Sequence, residues 1–276
     1  MRSRSAGGLY GVLAAAIALF ASPALAQFQP RPVDDETTVV GEVYHIEGSA
    51  GFWRPGAEMS ISSESLGIVG SRIDFKNDLG LVDRSFGELH ATLKPGRKHK
   101  LRFQYIPISY TQSNVAQRDI VFNGQLFRVG IPVSSTLDWK AYRFGYEYDF
   151  LVLPRGFGGF VLDFKYTDVN AVLSTPVFEE FAHAAAPIPA IGGIFRVYAL
   201  PNLSITGEIT GFKLPESAVE DASARYVDVD FYGTFNFSRY MGAQMGYRSF
   251  DVGYVLDADL GDFRLKGPYF GFVARY

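Results

Sequence analysis

Residues 262–276 read DFRLKGPYFGFVARY. From Phe270 onward, Phe270, Phe272, Ala274 and Tyr276 alternate with Tyr269, Gly271, Val273 and Arg275. Successive side chains of an extended strand point to opposite faces, so this period of two makes one face oily and the other small, polar or charged. A wall strand of this kind facing lipid cannot be left with an open edge, because its N–H and C=O groups would find no partner there. The rest of the chain is therefore expected to supply the strands against which this one closes.

The opposite end sets the compartment. Arg2 and Arg4 precede an apolar run from Leu9 to Phe20, and Ala24-Leu25-Ala26 forms an A-x-A site before Gln27. This is the pattern of a cleaved signal peptide over residues 1–26, with an apolar run too short for a spanning helix. Residues 27–41 begin Pro-rich and acidic and read as a short unstructured periplasmic lead, with the remaining 42–276 forming one domain. The chain has no cysteine, so neither disulfides nor a lipidated cysteine can hold it. Its formal charge of −3 becomes −5 without Arg2 and Arg4, which gives no electrostatic footprint for nucleic acid. With 24 Phe, 16 Tyr and 29 Gly and a mean hydropathy near zero, the composition favours β structure in which apolar and polar residues alternate.

Ten alternating runs follow in order: 42–53, 85–93, 100–110, 137–150, 158–168, 188–200, 203–212, 225–237, 240–255 and 262–276. Each approximates the 9–11 residues of a tilted spanning strand. The clearest, 137–150, sets Tyr142, Phe144, Tyr146, Tyr148 and Phe150 against Ala141, Arg143, Gly145, Glu147 and Asp149. Connections alternate between short turns (PGRK, LPRG, PN, SR) and longer segments near 54–83, 111–132, 169–187, 215–224 and 257–262. Within the longer ones, RIDF and MSISSE suggest strand extensions, IVFNGQLFRVG a small hairpin about Asn123-Gly124, and FEEFAHAAAP a short helix. The expected fold is all-β: a single antiparallel up-and-down transmembrane barrel of about ten strands, with eight as the competing count.

If the aromatic faces meet lipid, the opposite faces line the lumen. That inward set is Glu47, Glu88, Arg102, Arg143, Glu147, Asp149, Asp163, Lys165, Arg196, Glu208, Asp228, Asp230, Arg248 and Arg275. In so narrow a bore these charges must pair or change protonation. Tyr44, Tyr105, Tyr110, Tyr166, Tyr240, Tyr254 and Tyr276 near strand ends are candidates for interfacial girdles. In the first long segment Asp74, Asn77, Asp78 and Asp83 offer oxygen ligands, without the spacing of a Ca²⁺ loop. No metal or cofactor is expected.

Taken with the signal peptide and the alternating connection lengths, the terminal strand resembles the insertion signal of small Gram-negative outer-membrane β-barrels, carried here by Phe270, Gly271, Phe272, Ala274 and Tyr276. The layout is similar to the OmpA-type and OmpW-type barrels, in which short turns are periplasmic and long loops are outside. The resemblance implies contacts with outer-membrane lipid and lipopolysaccharide, and with the barrel-assembly machinery during insertion. It transfers no site residues, and it leaves the oligomeric state open. The function expected is non-enzymatic, either structural or a narrow porin-like passive pore with a charged lumen. A hydrolase acting on lipid or peptide near the outer rim, or a surface binding protein working through its loops, are the alternatives. For the hydrolase the histidines are His45, His90, His99 and His183. His45 and His90 are expected inward, without a serine partner. Asp168 with His183 is the nearest approach to the His/Asp couple of an omptin-like protease.

Overall fold

The computed structural model describes residues 39–62, 70–122, 124–176, 179–214, 222–256 and 259–276. The signal segment, the Pro-rich lead and the middles of several long connections lie outside these. The described chain forms fourteen strands: β1 (Ile46–Trp53), β2 (Gly56–Ser62), β3 (Ile73–Asp74), β4 (Phe86–Leu93), β5 (His99–Val115), β6 (Ile120–Phe122), β7 (Gln125–Phe127), β8 (Pro132–Leu153), β9 (Gly156–Ser174), β10 (Glu179–Leu200), β11 (Leu203–Leu214), β12 (Ala222–Asn236), β13 (Met241–Leu256) and β14 (Asp259–Arg275).

The wall runs β1-β4-β5-β8-β9-β10-β11-β12-β13-β14, every pair antiparallel, and closes because β1 also pairs β14 from Glu47↔Arg275 to Trp53↔Tyr269. It is a closed ten-stranded barrel. The first wall strand is built in two pieces, because β2 continues β1 along β14 after a break at Arg54-Pro55. Gly267 is required opposite that break: a Cβ there would lie 2.2 Å from the Arg54 carbonyl oxygen.

All ten expected runs are present, and several are much longer than a membrane requires. Strands β8 and β10 have 22 residues each. At about 3.3 Å per residue and a tilt near 45°, such a strand rises roughly 50 Å, against an apolar band about 25 Å tall. About half of each long strand therefore stands clear of lipid, and the side chains register the change. On β8 the outward residues are Tyr142, Phe144, Tyr146, Tyr148 and Phe150 in the half toward the short turns, but Ser134, Thr136, Asp138 and Lys140 beyond it. Inward, the order is reversed: Arg143, Glu147 and Asp149 give way to Trp139, Leu137 and Val133, all buried. The same inversion occurs on β14, where Phe270 and Phe272 are exposed, Arg264 and Lys266 lie on the outer face above them, and Phe263 and Leu265 are buried inside. The molecule is thus polar-in and apolar-out along its lower half, and polar-out and apolar-in along its upper half.

Among the described residues, the long connections differ from expectation in one place. Of FEEFAHAAAP, residues 179–187 are strand, not helix, and pair with β9 from Glu179↔Ser174 to Pro187↔Tyr166. The alanines favour helix locally, but the edge of a 19-residue β9 has to be satisfied, and tertiary pairing overrides a weak propensity. RIDF contributes β3 to β2, and the expected hairpin of the second long segment is present as β6 and β7, with Asn123 outside the described residues. Three of the seven girdle tyrosines point elsewhere: Tyr110 is fully buried inside the upper half, Tyr254 packs against the same core, and Tyr44 is buried at the short-turn mouth. Tyr110 shares the parity of Arg102 and Gln104, so its place on β5 sends it inward.

Candidate functional site

The lower lumen is filled by one chain of charges in which acids and bases alternate. It starts at Asp149, whose Oδ2 lies 3.0 Å from the Lys100 Nζ, and Lys100 is 2.5 Å from Glu147. Arg102 bridges Glu147 at 3.2 Å and Glu208 at 2.6 Å. Arg143 joins Glu208 to Asp163, the latter at 2.7 Å. Lys165 then connects Asp163 at 3.6 Å to Asp228 at 3.1 Å, and also donates to Thr210 and the Tyr226 hydroxyl. Arg248 holds Asp228 through two nitrogens, at 3.0 and 2.6 Å, and approaches Glu88 at 4.0 Å. Eleven charges from seven strands are linked in this way. A buried ion is costly unless paired and hydrogen-bonded, and alternation lets each interior member touch two opposite charges.

Of the fourteen residues assigned inward, ten lie in this chain. Glu47 and Arg275 form a separate pair at 2.5 Å, Asp230 accepts from the Tyr269 hydroxyl at 2.9 Å, and Arg196 serves the short-turn mouth. Sequence reasoning missed Lys100, although it shares the inward parity of Arg102; it was read as a strand end. It also missed Glu42, for a different reason. The chain before Ile46 is not strand, so parity does not apply, and residues 39–45 instead cross the mouth. There Glu42 accepts from Arg196 Nη1 and the Tyr198 hydroxyl, both at 2.9 Å, and lies 3.6 Å from Lys94. The Val40 amide donates to the Pro201 carbonyl at 2.7 Å, and Asn236 Nδ2 donates to the Val40 carbonyl at 2.7 Å. Burial pushes the Glu42 carboxyl up, but Arg196 first, then Lys94 and Lys100, outweigh it and hold the group at about 2.

The upper half is packed with apolar residues: Ile106, Ile108 and Tyr110 from β5, Leu137 and Trp139 from β8, Phe250 and Val252 from β13, and Phe263 and Leu265 from β14. Its top is closed by the segment before β4 and by the β6–β7 hairpin, which bury Ile73, Phe75, Leu79, Leu81, Ile120, Phe122 and Phe127. The two covering pieces are clasped together. Arg118 donates to both Asp78 carboxylate oxygens, at 2.9 and 2.7 Å, and to the Arg72 carbonyl, while the Ser71 amide donates to the Val121 carbonyl. Burial raises the Asp78 carboxyl, but the hydrogen bonds from Arg118 and the Asp74 backbone bring it below its usual range. The oxygens of Asp74, Asp78 and Asp83 are occupied by backbone amides, by Lys76 and by Arg118, so this stretch caps a turn. The inner cavities found among the described residues are small. About 20 Å³ lies between the layers, lined by Trp53, Ile106, Arg143, Lys165, Tyr226 and Phe250 among others, and about 50 Å³ lies beside His90 and Arg102. The first is room for about one water.

No family model matches the chain. No curated protein matches it either. Among solved structures it is similar to the outer-membrane protease OmpT from Escherichia coli, with a TM-score of 0.51 and 8% identity over 87% of this chain and 99% of that one. The fold is that of an outer-membrane β-barrel. Two further outer-membrane-type barrels align less closely: the toluene transporter TodX from Pseudomonas putida (TM-score 0.35, 10% identity, 94% of each chain) and Ail, the attachment invasion locus protein of Yersinia pestis (0.34, 10%, 82% of this chain and 99% of that one).

On this barrel the described histidines do not converge. His45 is exposed before β1, contrary to the inward expectation, because the strand has not yet begun. His90 is inward, 3.4 Å from Glu88 and 3.2 Å from the Gln104 amide nitrogen. His99 contacts the Tyr146 hydroxyl at the short-turn end. His183 and Asp168 do form a couple at 3.0 Å, but on the outer wall, where both are well exposed and their cross-strand partners are Asn170 and Lys140. An outward couple on a convex wall has no cleft in which to orient a substrate.

Proposed function

We propose that this protein is an integral outer-membrane protein that acts as a sealed barrel, its short turns in the periplasm and its upper half projecting from the cell surface as a folded platform. The observation that carries this reading is the double filling of the lumen, charges below and apolar side chains above. An exterior free of charged residues from Tyr142 to Phe150, and likewise around the other strands, supports the lipid-facing band. Residues 1–26 would direct export. The strand β14 would be read by the barrel-assembly machinery, and the charged collar above the aromatic band would meet lipopolysaccharide head groups.

The test is single-channel recording of the refolded mature protein in a planar bilayer. A correctly inserted but silent protein is expected. Steady conductance whose cation preference falls in Asp228→Asn would overturn the sealed reading in favour of a narrow pore. Because the chain has no cysteine, its orientation can be checked independently. A Ser134→Cys variant should react with a membrane-impermeant maleimide on intact cells, and Arg155→Cys should not.

A further inference from the structure

The upper half of the wall is not sheet throughout: β10 pairs β11 only from Ile191↔Gly211 to Leu200↔Leu203, and β5 carries a seam of its own. Strand β5 pairs β8 over its whole length, from His99↔Tyr148 to Val115↔Pro132, but pairs β4 only from Leu101↔Leu93 to Tyr105↔Leu89. Above Tyr105 its other edge has no strand partner among the described residues, because β4 stops at Phe86 and β2 carries only the two residues of β3. The gap is spanned by residues 75–85, a strap that follows the seam without entering the ladder. One backbone bond, from the Phe75 amide to the Met59 carbonyl at 3.0 Å, and side chains hold it: Leu79 and Leu81 are buried in the core, Gly80 lies against Asn114, and Asp83 accepts from the Ala57 amide. The Arg118–Asp78 clasp fastens it from above. The strap can therefore leave the β5 edge without breaking a pair between wall strands.

Directly behind the seam, two polar groups are buried in the apolar chamber with no hydrogen-bond partner among the described residues, the Tyr110 hydroxyl and the Trp139 indole N–H. Both residues are 1% exposed, and they lie two positions apart across the β5–β8 pair, where Ile108 faces Trp139 and Tyr110 faces Leu137. An unpaired buried donor is costly, and in a native structure it calls for a partner. The indole can only donate, so the partner must carry an acceptor. We propose that the chamber is a concealed binding site for an apolar molecule bearing a carbonyl or ester oxygen, such as an acyl ester, admitted from the cell surface when the strap swings off the β5 edge. The bound molecule replaces strap side chains against the chamber wall and accepts from Tyr110 and Trp139. This goes beyond the sealed-barrel reading, and conductance plays no part in its test.

The experiment uses the full mature protein in lipid nanodiscs with Trp53→Phe, which leaves Trp139 as the sole tryptophan. Gly80→Cys and Asn114→Cys are added as a lock, since a Cβ on Gly80 lies 3.7 Å from the Asn114 Cβ, within disulfide reach. Gly80 has a φ of +69°, a left-handed conformation that strains a cysteine, so the reduced form of the same variant is the control. The probe is methyl 9,10-dibromostearate, whose bromines quench tryptophan. Saturable quenching of Trp139 is expected in the reduced protein, falling at least fivefold when the disulfide forms. Tyr110→Phe in the reduced background should weaken the apparent affinity about threefold to tenfold, the loss of one hydrogen bond. In hydrogen exchange, strap amides should open faster than those of Leu137–Phe144 and slow on locking. Equal quenching in both redox states would overturn the proposal, because the probe would then be acting from the lipid phase. Strap amides as protected as β8 would overturn it also, as would a strap that opens freely without quenching.

Discussion

At the scale of single residues, the lumen is held by shared partners, and Glu208 is one of them. It receives Arg102 and Arg143, from two neighbouring strands, while itself sitting on β11 across the bore. Glu208→Ala leaves two buried guanidinium groups short of a partner. Removing one member of a buried ion pair costs about 3–5 kcal/mol, so urea unfolding of this variant in lipid vesicles should show a loss of that size. An unchanged midpoint would mean that water reaches these arginines. Glu42 makes a pH prediction at the mouth. Its folded carboxyl is depressed to about 2 from an ordinary 4.5, so its stabilisation is complete above pH 4.5 and disappears as the pH falls toward 2. Proteolysis of residues 39–45 should therefore begin in that acid window in the wild type, with Glu42→Gln cleaved already at neutral pH. A Glu42→Gln protein as resistant as wild type would show that backbone contacts alone fasten the segment.

Among strands, close approach of the backbones decides which substitutions the wall accepts. Gly192 and Gly193 are adjacent on β10, yet a Cβ on the first would lie 1.8 Å from the Ile209 carbonyl oxygen, while the second has nothing nearer than 3.7 Å. Gly192→Val should lose roughly 3 kcal/mol or more, or fail to show the heat-dependent gel shift of a folded barrel, whereas Gly193→Ala should migrate as wild type. Equal behaviour of the two variants would refute this account of the β10–β11 contact. The alternation that marks these strands was legible directly, because a period of two survives errors of several residues at either end. All ten wall strands and the parity of the fourteen inward charges could be read from it. Three things could not. The Ala-rich stretch around His183 carries a local helical bias that only the neighbouring β9 edge overrules. Glu42 lies where the strand has not begun, so its contacts depend on chain direction across the mouth. The upper extension was hidden because its apolar residues, Ile106, Ile108, Tyr110, Leu137 and Trp139, occupy the face already assigned to charges lower down, and a reading that follows the aromatic face does not look for an exchange of roles.

On the scale of the whole molecule, two solvents meet one wall, and the boundary between them can be located by mutation. Phe144 faces outward within the aromatic band, so Phe144→Arg should cost about 2–4 kcal/mol, as a charge at mid-depth in lipid does. Ser134 is on the same strand and the same face, ten residues higher. Ser134→Arg should stay within about 0.5 kcal/mol of wild type, as an exposed substitution in water does. If both variants lose stability alike, the upper half is not in water. The mid-strand exchange of polarity also acts as an error check on assembly. Sliding any long strand by one residue against its neighbours turns every side chain to the opposite face. For β8 that would put Arg143 and Glu147 against acyl chains and, in the same movement, Trp139 and Leu137 against water. An ordinary soluble or membrane sheet detects such a slip in one medium only. This wall detects it in both, so a misaligned strand finds no depth at which the mistake goes unpunished.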